Sequence, residues 1–190
     1  MRVQPPLRRC QTGVSLVEVL VAMVILAIGL LSLVVLHGRL HVLQVESYQR
    51  SQALIILNDM ASRIQLNRNA AADYVTVDPL GTDIVDCDFG NATRQQIDST
   101  EWCNALQGAA ETAAGGADVG AMVGARACVE NIAAGEYMVT VAWQGMAPLS
   151  APPVTVGCGA GEYDGGAGTA CVNDLCRRVV TTIVRIATLT

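Results

Sequence analysis

Histidine is scarce in this chain: the only two, His37 and His41, sit just past a long apolar run. No Ser-His-Asp or Cys-His arrangement can therefore form in the part of the chain beyond them. The acids that remain have no spacing that fixes a catalytic pair, so no enzyme activity is expected. Lysine is absent altogether; all twelve basic residues are Arg, which by itself excludes no function. Clustered cations are also missing. Beyond the first thirteen residues the nearest thing to a cluster is Arg177–Arg178, read as a solvated strand end. A nucleic-acid face needs more than that, and no nucleic acid is expected as a partner. Proline is missing from His37 to Leu66, so nothing there forces a helix to stop.

Charge is missing from one further place. Val19 to Leu36 is eighteen residues with Ser32 as the only clearly polar member, long and apolar enough for a membrane-spanning helix. In front of it, residues 1–13 carry Arg2, Arg8 and Arg9 and no acid; the remainder sets nine Arg against seventeen Asp and Glu, a balance of −8. Basic flanks stay on the cytoplasmic side, which places the rest of the chain across the membrane. A secretory signal would have a shorter apolar core followed by a small-residue cleavage site. Here the small residue, Gly13, precedes the core. Cutting after it discards the charged leader and keeps the helix. Of seven Cys, Cys10 lies in that leader. Cys87, Cys103, Cys128, Cys158, Cys171 and Cys176 remain, an even set that suits disulfides in an oxidising compartment. Zinc is the rival, but only Cys171 and Cys176 approach its ligand spacing. No metal and no cofactor are expected.

The residues "GVSLVEVLVAMVILAIGLLSL", Gly13 to Leu33, resemble the class III signal of type IV prepilins and their relatives. The resemblance implies cleavage between Gly13 and Val14 by prepilin peptidase, and methylation of the new Val14 amine. It also makes Glu18 the fifth mature residue, where this family carries a hallmark glutamate. Val14 stands where the family usually has Phe or Met. An ionised carboxylate among lipid tails is unfavourable and usually has a partner and a function. The implied partner is the Val14 amine of the same or a neighbouring subunit. Losing one member of such a buried pair typically costs about 3–5 kcal/mol, enough to set subunit register. The rival is a glutamate reaching the headgroups from a plain signal anchor.

Downstream, Ala53, Ile56, Leu57, Met60 and Ile64 recur at helical spacing, while Gln49, Arg50, Asn58, Asp59 and Arg63 are mostly directed elsewhere. One helix from Val14 to about Arg68 would extend roughly 80 Å. The run "YQRSQALIILNDMASRIQLN", Tyr48 to Asn67, resembles the PilV branch of minor pilins, the type IV pilus modification proteins, through Arg50, Ala53, Asp59, Met60, Arg63, Ile64 and Asn67. An amphipathic helix with Asp59–Arg63 support explains the same residues without the branch. Major pilins usually carry a helix-bending Pro near the equivalent of Val35; none is present.

Residues 69–94 read as a solvated acidic loop with Asp73, Asp78, Asp83, Asp86 and Asp88; its "DCDFGN" lacks the full calcium-loop pattern. Residues 94–114 read as a helix with Ser99 as N-cap, Ile97, Trp102 and Leu106 as its apolar edge, and Trp102 as a core anchor. After a Gly/Ala-rich link at 114–125, strands are expected at 125–132 and 136–144, joined as a hairpin through Gly135, and at 177–189. Residues 145–176 form a turn-rich loop whose G-x-G pattern opens no helix, so it binds no nucleotide.

The resemblance implies a pilin fold of class α+β: a long N-terminal helix on a small antiparallel sheet, decorated by an αβ-loop (69–125) and a disulfide-bounded loop (145–176). Its parts would be a cleaved leader (1–13), a transmembrane and filament-core helix (14–36), an amphipathic continuation (37–68) and a periplasmic domain (69–190). Six Cys allow fifteen pairings; Cys87–Cys103 is expected, with Cys128, Cys158, Cys171 and Cys176 in two further bridges of undetermined order. The implied role is a minor pilin that joins other minor pilins and the major pilin at the assembly platform of the inner membrane, and then reaches the pilus. A minor pseudopilin of a type II secretion system shares the same opening pattern, and a tip-exposed binding module is a third class.

Overall fold

The absence of proline is realised as one continuous α-helix, α1, over Leu16–Leu66 in the computed structural model. Residues 13, 15–109, 111–116, 118 and 120–187 are described; the leader, Val14 and the end of the chain from residue 188 lie outside them. The chain divides into two compact units, up to Leu43 and from Gln44 onward.

In the second unit, α1 buries Gln49, Ala53, Ile56, Leu57, Met60, Ala61 and Ile64. These are the apolar helical positions read from the sequence with two additions. Gln49 was expected to turn to solvent and does not: its position one turn before Ala53 puts it on the packed stripe. Arg63 was also expected outside, and it folds back to reach Asp98 across the domain.

A short 3₁₀ segment kinked at Ala70, Arg68–Tyr74, follows, then the two-residue strand β1, Leu80–Gly81. Both lie in the span expected to be featureless. Neither has a local signal: β1 exists because Leu80 and Gly81 pair with Ala127 and Arg126. Helix α2 runs over Arg94–Leu106. Its N-cap is Thr93, not Ser99. The Thr93 hydroxyl accepts from the Gln96 N–H while the Gln96 side chain accepts from the Thr93 N–H, a reciprocal capping box. Ser99 lies mid-helix and buried. The helix ends well before residue 114 because Gly108 adopts φ +100°, where a Cβ would lie 2.4 Å from the Ala121 nitrogen.

Three longer strands complete the domain: β2, Arg126–Ala133; β3, Glu136–Gln144; and β4, Arg177–Arg185. The sheet is antiparallel with order β1-β2-β3-β4. Gly135, at φ +73°, makes the β2–β3 turn, where a Cβ would meet the Ile186 carbonyl oxygen at 2.7 Å. One sheet face and α1 enclose the core: Met60, Ile64, Trp102, Leu106, Val129, Val139, Val141 and Val184 are all nearly inaccessible. Trp102 anchors it as expected, and its indole N–H donates to the Ile56 carbonyl at 3.0 Å. This α+β arrangement, a long apolar helix on a small antiparallel sheet with disulfides, is the one the pilin resemblance implied.

Candidate processing and assembly segment

Residues 15–36 contain the features the sequence singled out. The Ser15 carbonyl accepts from the Glu18 and Val19 N–H groups at 3.0 and 3.3 Å, so the helix begins directly after the Gly13–Val14 junction. Glu18 falls in the first turn and is exposed. A carboxylate there faces the positive end of the helix dipole, a local stabilisation available before any partner arrives. Gly13 lies outside the helix and is exposed; Val14, the other side of the expected cut, lies outside the described residues, as do Arg2, Arg8, Arg9 and Cys10.

Behind Glu18 the helix presents apolar side chains on every side. Its most apolar eighteen-residue window has a mean hydropathy of 3.2, and none of that window is buried. Leu16, Val17, Met23, Ile25, Leu26, Leu30, Leu31 and Val34 are all more than half exposed. A helix apolar all round needs an apolar medium, lipid or other helices. Ser32 suits that medium, because its hydroxyl donates to the Ile28 carbonyl at 3.0 Å and leaves no unmet donor.

In the domain, all six cysteines are bonded: Cys87–Cys103, Cys128–Cys158 and Cys171–Cys176. The first ties the acidic loop to α2, the second ties β2 to the 145–176 loop, and the third closes a six-residue turn before β4. Among the described residues no group of three or more His, Cys, Asp or Glu could hold a metal ion. Asp86 and Asp88 instead accept from the Asp88 and Gly90 N–H groups within their own turns.

Two polar clusters escaped the sequence reading. In the first, Asp98 is 1% exposed and accepts from Tyr74 at 2.5 Å and Arg63 at 2.8 Å, with Arg94 a further 2.8 Å partner. Burial opposes ionisation of Asp98, but hydrogen bonds from Tyr74 and Arg63 and the Arg94 charge outweigh it and hold the carboxyl below its ordinary range. Burial and the Asp98 bond together push the Tyr74 phenol up to about 12. This cluster locks α1, the 3₁₀ segment and α2 together.

The second cluster centres on Arg177, which is not a solvated strand end. It is buried, donates to the Val156 and Cys158 carbonyls at 2.8 and 3.0 Å, and pairs with Asp174 at 3.1 Å. The 145–176 loop folds over it because a buried guanidinium needs acceptors and the loop's turns supply free carbonyls. Asp83, read as part of the solvated acidic loop, likewise pairs with the buried Arg126. The Arg126 guanidinium also lies 5.0 Å from the centre of the Tyr163 ring. Such pairings leave no signal in local sequence, since the partners are 35 residues apart for Arg63–Asp98 and 43 for Asp83–Arg126.

Residues 8–34 match the family model of the prokaryotic N-terminal methylation motif. Comparison with curated proteins and with solved structures gave no match. The motif and the apolar helix behind it indicate a membrane-anchored protein of the type IV pilin or pseudopilin kind, one processed by prepilin peptidase and associated with pilus-type assembly.

Proposed function

We propose that this chain is a minor type IV pilin of the PilV type. Prepilin peptidase cuts between Gly13 and Val14, and the Val14 amine is methylated. The mature subunit waits in the inner membrane with residues 14–36 in the bilayer and its disulfide-braced domain in the periplasm. It then joins other minor pilins at the assembly platform, in a complex that primes or caps the fibre of major pilin. Glu18 pairs with a Val14 amine, its own or a neighbour's, and sets the register of the helix as it leaves the lipid.

One observation carries this reading: within the matched motif, Gly13 precedes Glu18 by five residues at the head of a helix with no other charge before Arg39. That spacing turns a cut after the glycine into a new amine one helical turn from a carboxylate. The PilV assignment rests on the resemblance of the Tyr48–Asn67 run, through Arg50, Ala53, Asp59, Met60, Arg63, Ile64 and Asn67. A minor pseudopilin of a secretion system is the second reading, because it would share the motif at residues 8–34.

A deletion strain separates the two. Loss of surface pili and twitching with normal exoprotein secretion is the expected result. Loss of secretion with normal pili would transfer the protein to the pseudopilins.

A further inference from the structure

The only two histidines of the chain stand one helical turn apart. His37 and His41 both lie in α1, in the first stretch after the apolar run ends at Leu36. In an α-helix, residues at i and i+4 are about 40° apart around the axis and about 6 Å apart along it. Their side chains share one face. This is the spacing by which a helix offers two imidazoles to one metal ion. The cysteine spacing that argues against zinc in the domain has no bearing on this pair.

The surroundings leave both rings free to act. Each histidine is exposed, and among the described residues neither imidazole has a hydrogen-bond or ion-pair partner. Arg39 is the only charged residue between Glu18 and Glu46. It lies two residues from each histidine, which turns it to roughly the opposite side of the helix and away from a cation held by the pair. Between the two histidines, Gly38 adds no bulk: a Cβ there would meet nothing within 4 Å. Gly38 is also the poorest helix former in this stretch.

From this geometry we infer that His37 and His41 together bind one divalent transition-metal ion of the kind that prefers imidazole, such as zinc, nickel or copper, through one ring nitrogen each. Two protein ligands leave the remaining positions of the ion to water. The site is a chelating clip, not a closed structural centre, in keeping with the absence, among the described residues, of any group of three or more ligating side chains. Chelation needs both rings on one helix face, so the bound ion holds α1 helical across Gly38. The inference goes beyond the pilin reading and does not depend on it.

The test uses the full chain without a histidine tag, in maltoside micelles that carry no phosphate. Every sample carries Cys10→Ser, so that the leader thiol does not compete. Cu²⁺ is the probe, the tightest-bound of these ions. At one equivalent, pulsed electron paramagnetic resonance should show two coordinated imidazoles. His37→Ala and His41→Ala should each weaken binding by at least about tenfold, through loss of the second tethered ligand. His41→Ala combined with Val42→His keeps two histidines but sets them about 140° apart, and should bind as weakly as the single variants. All three positions are exposed, so the fold is retained. Zn²⁺ should displace the probe, and Mg²⁺, which prefers oxygen ligands, should not. Zn²⁺ should also slow amide exchange at His41 and Val42, whose helical bonds reach back to His37 and Gly38.

A spectrum with one imidazole or none overturns the inference. So does equal affinity in the wild type and either single variant, or in the variant with the shifted histidine. Displacement by Mg²⁺ would assign the ion to carboxylates, and unchanged exchange at His41 and Val42 would remove the clip; either result contradicts the site.

Discussion

Replacing Asp98 by Asn tests how the domain is held together. The carboxylate is 1% exposed and accepts from Tyr74 and Arg63 while pairing with Arg94. Asn keeps the shape and removes the charge. Breaking a fully buried pair costs about 3–5 kcal/mol. Arg63 keeps Asp59 and Glu101, and Arg94 is well exposed, so the cost here is less, about 2–3 kcal/mol. For a folded unit of this size that lowers the melting temperature by about 8 °C.

The pH dependence gives the sharper check. The folded carboxyl sits below its ordinary value, for the causes given above. Its contribution is therefore complete above the unfolded value of about 4. It fades as pH falls below that value, through the folded one. Melts of wild type and Asp98→Asn, followed by near-ultraviolet circular dichroism in detergent, should stay a fixed interval apart from pH 7 to about 5 and converge below about 4. An interval that does not change with pH, or no interval at pH 7, would refute an ionised Asp98 as the lock.

Three further outcomes are expected. Reducing the bridges should lower the melting temperature. The Cys128–Cys158 link, with a separation of 30 residues, should matter more than Cys171–Cys176, with a separation of 5. Chain-entropy reasoning gives about 3.5 against about 2 kcal/mol, and paired Ser variants measure the order. Trp102→Ala should cost about 3–5 kcal/mol, and Trp102→Phe markedly less, as it gives up mainly the bond to the Ile56 carbonyl; denaturant melts of both variants measure this. Glu18→Ala or Glu18→Val should insert into the membrane normally yet fail to enter pili, seen by immunoblotting sheared fibres; normal incorporation would remove the pairing role.

Much of this fold is legible from pattern. The helical spacing of Ala53, Ile56, Leu57, Met60 and Ile64 is their buried face; the expected hairpin is β2 and β3, and the β-branched run that follows holds β4. Local signals misled where a better one stood nearby. Ser99 was read as the cap although Thr93 and Gln96 three residues apart form the true capping box. Polar residues were placed outside by default, yet Gln49, Arg63 and Arg177 turn inward because partners distant in sequence, or packing geometry, admit them. Strand β1 has no propensity of its own and forms only where β2 offers bonds. The processing segment is the reverse case. Its chemistry is written in five consecutive positions from Val14 to Glu18, and no folding is needed to read it.

Mass spectrometry of the mature protein, isolated from membranes and from sheared fibres, tests the central claim most directly. A chain beginning at Val14 with a methylated amine, and Glu18 therefore fifth, is the expected result. A chain in a working fibre that still begins at Met1, or one cut after the apolar helix, would contradict it.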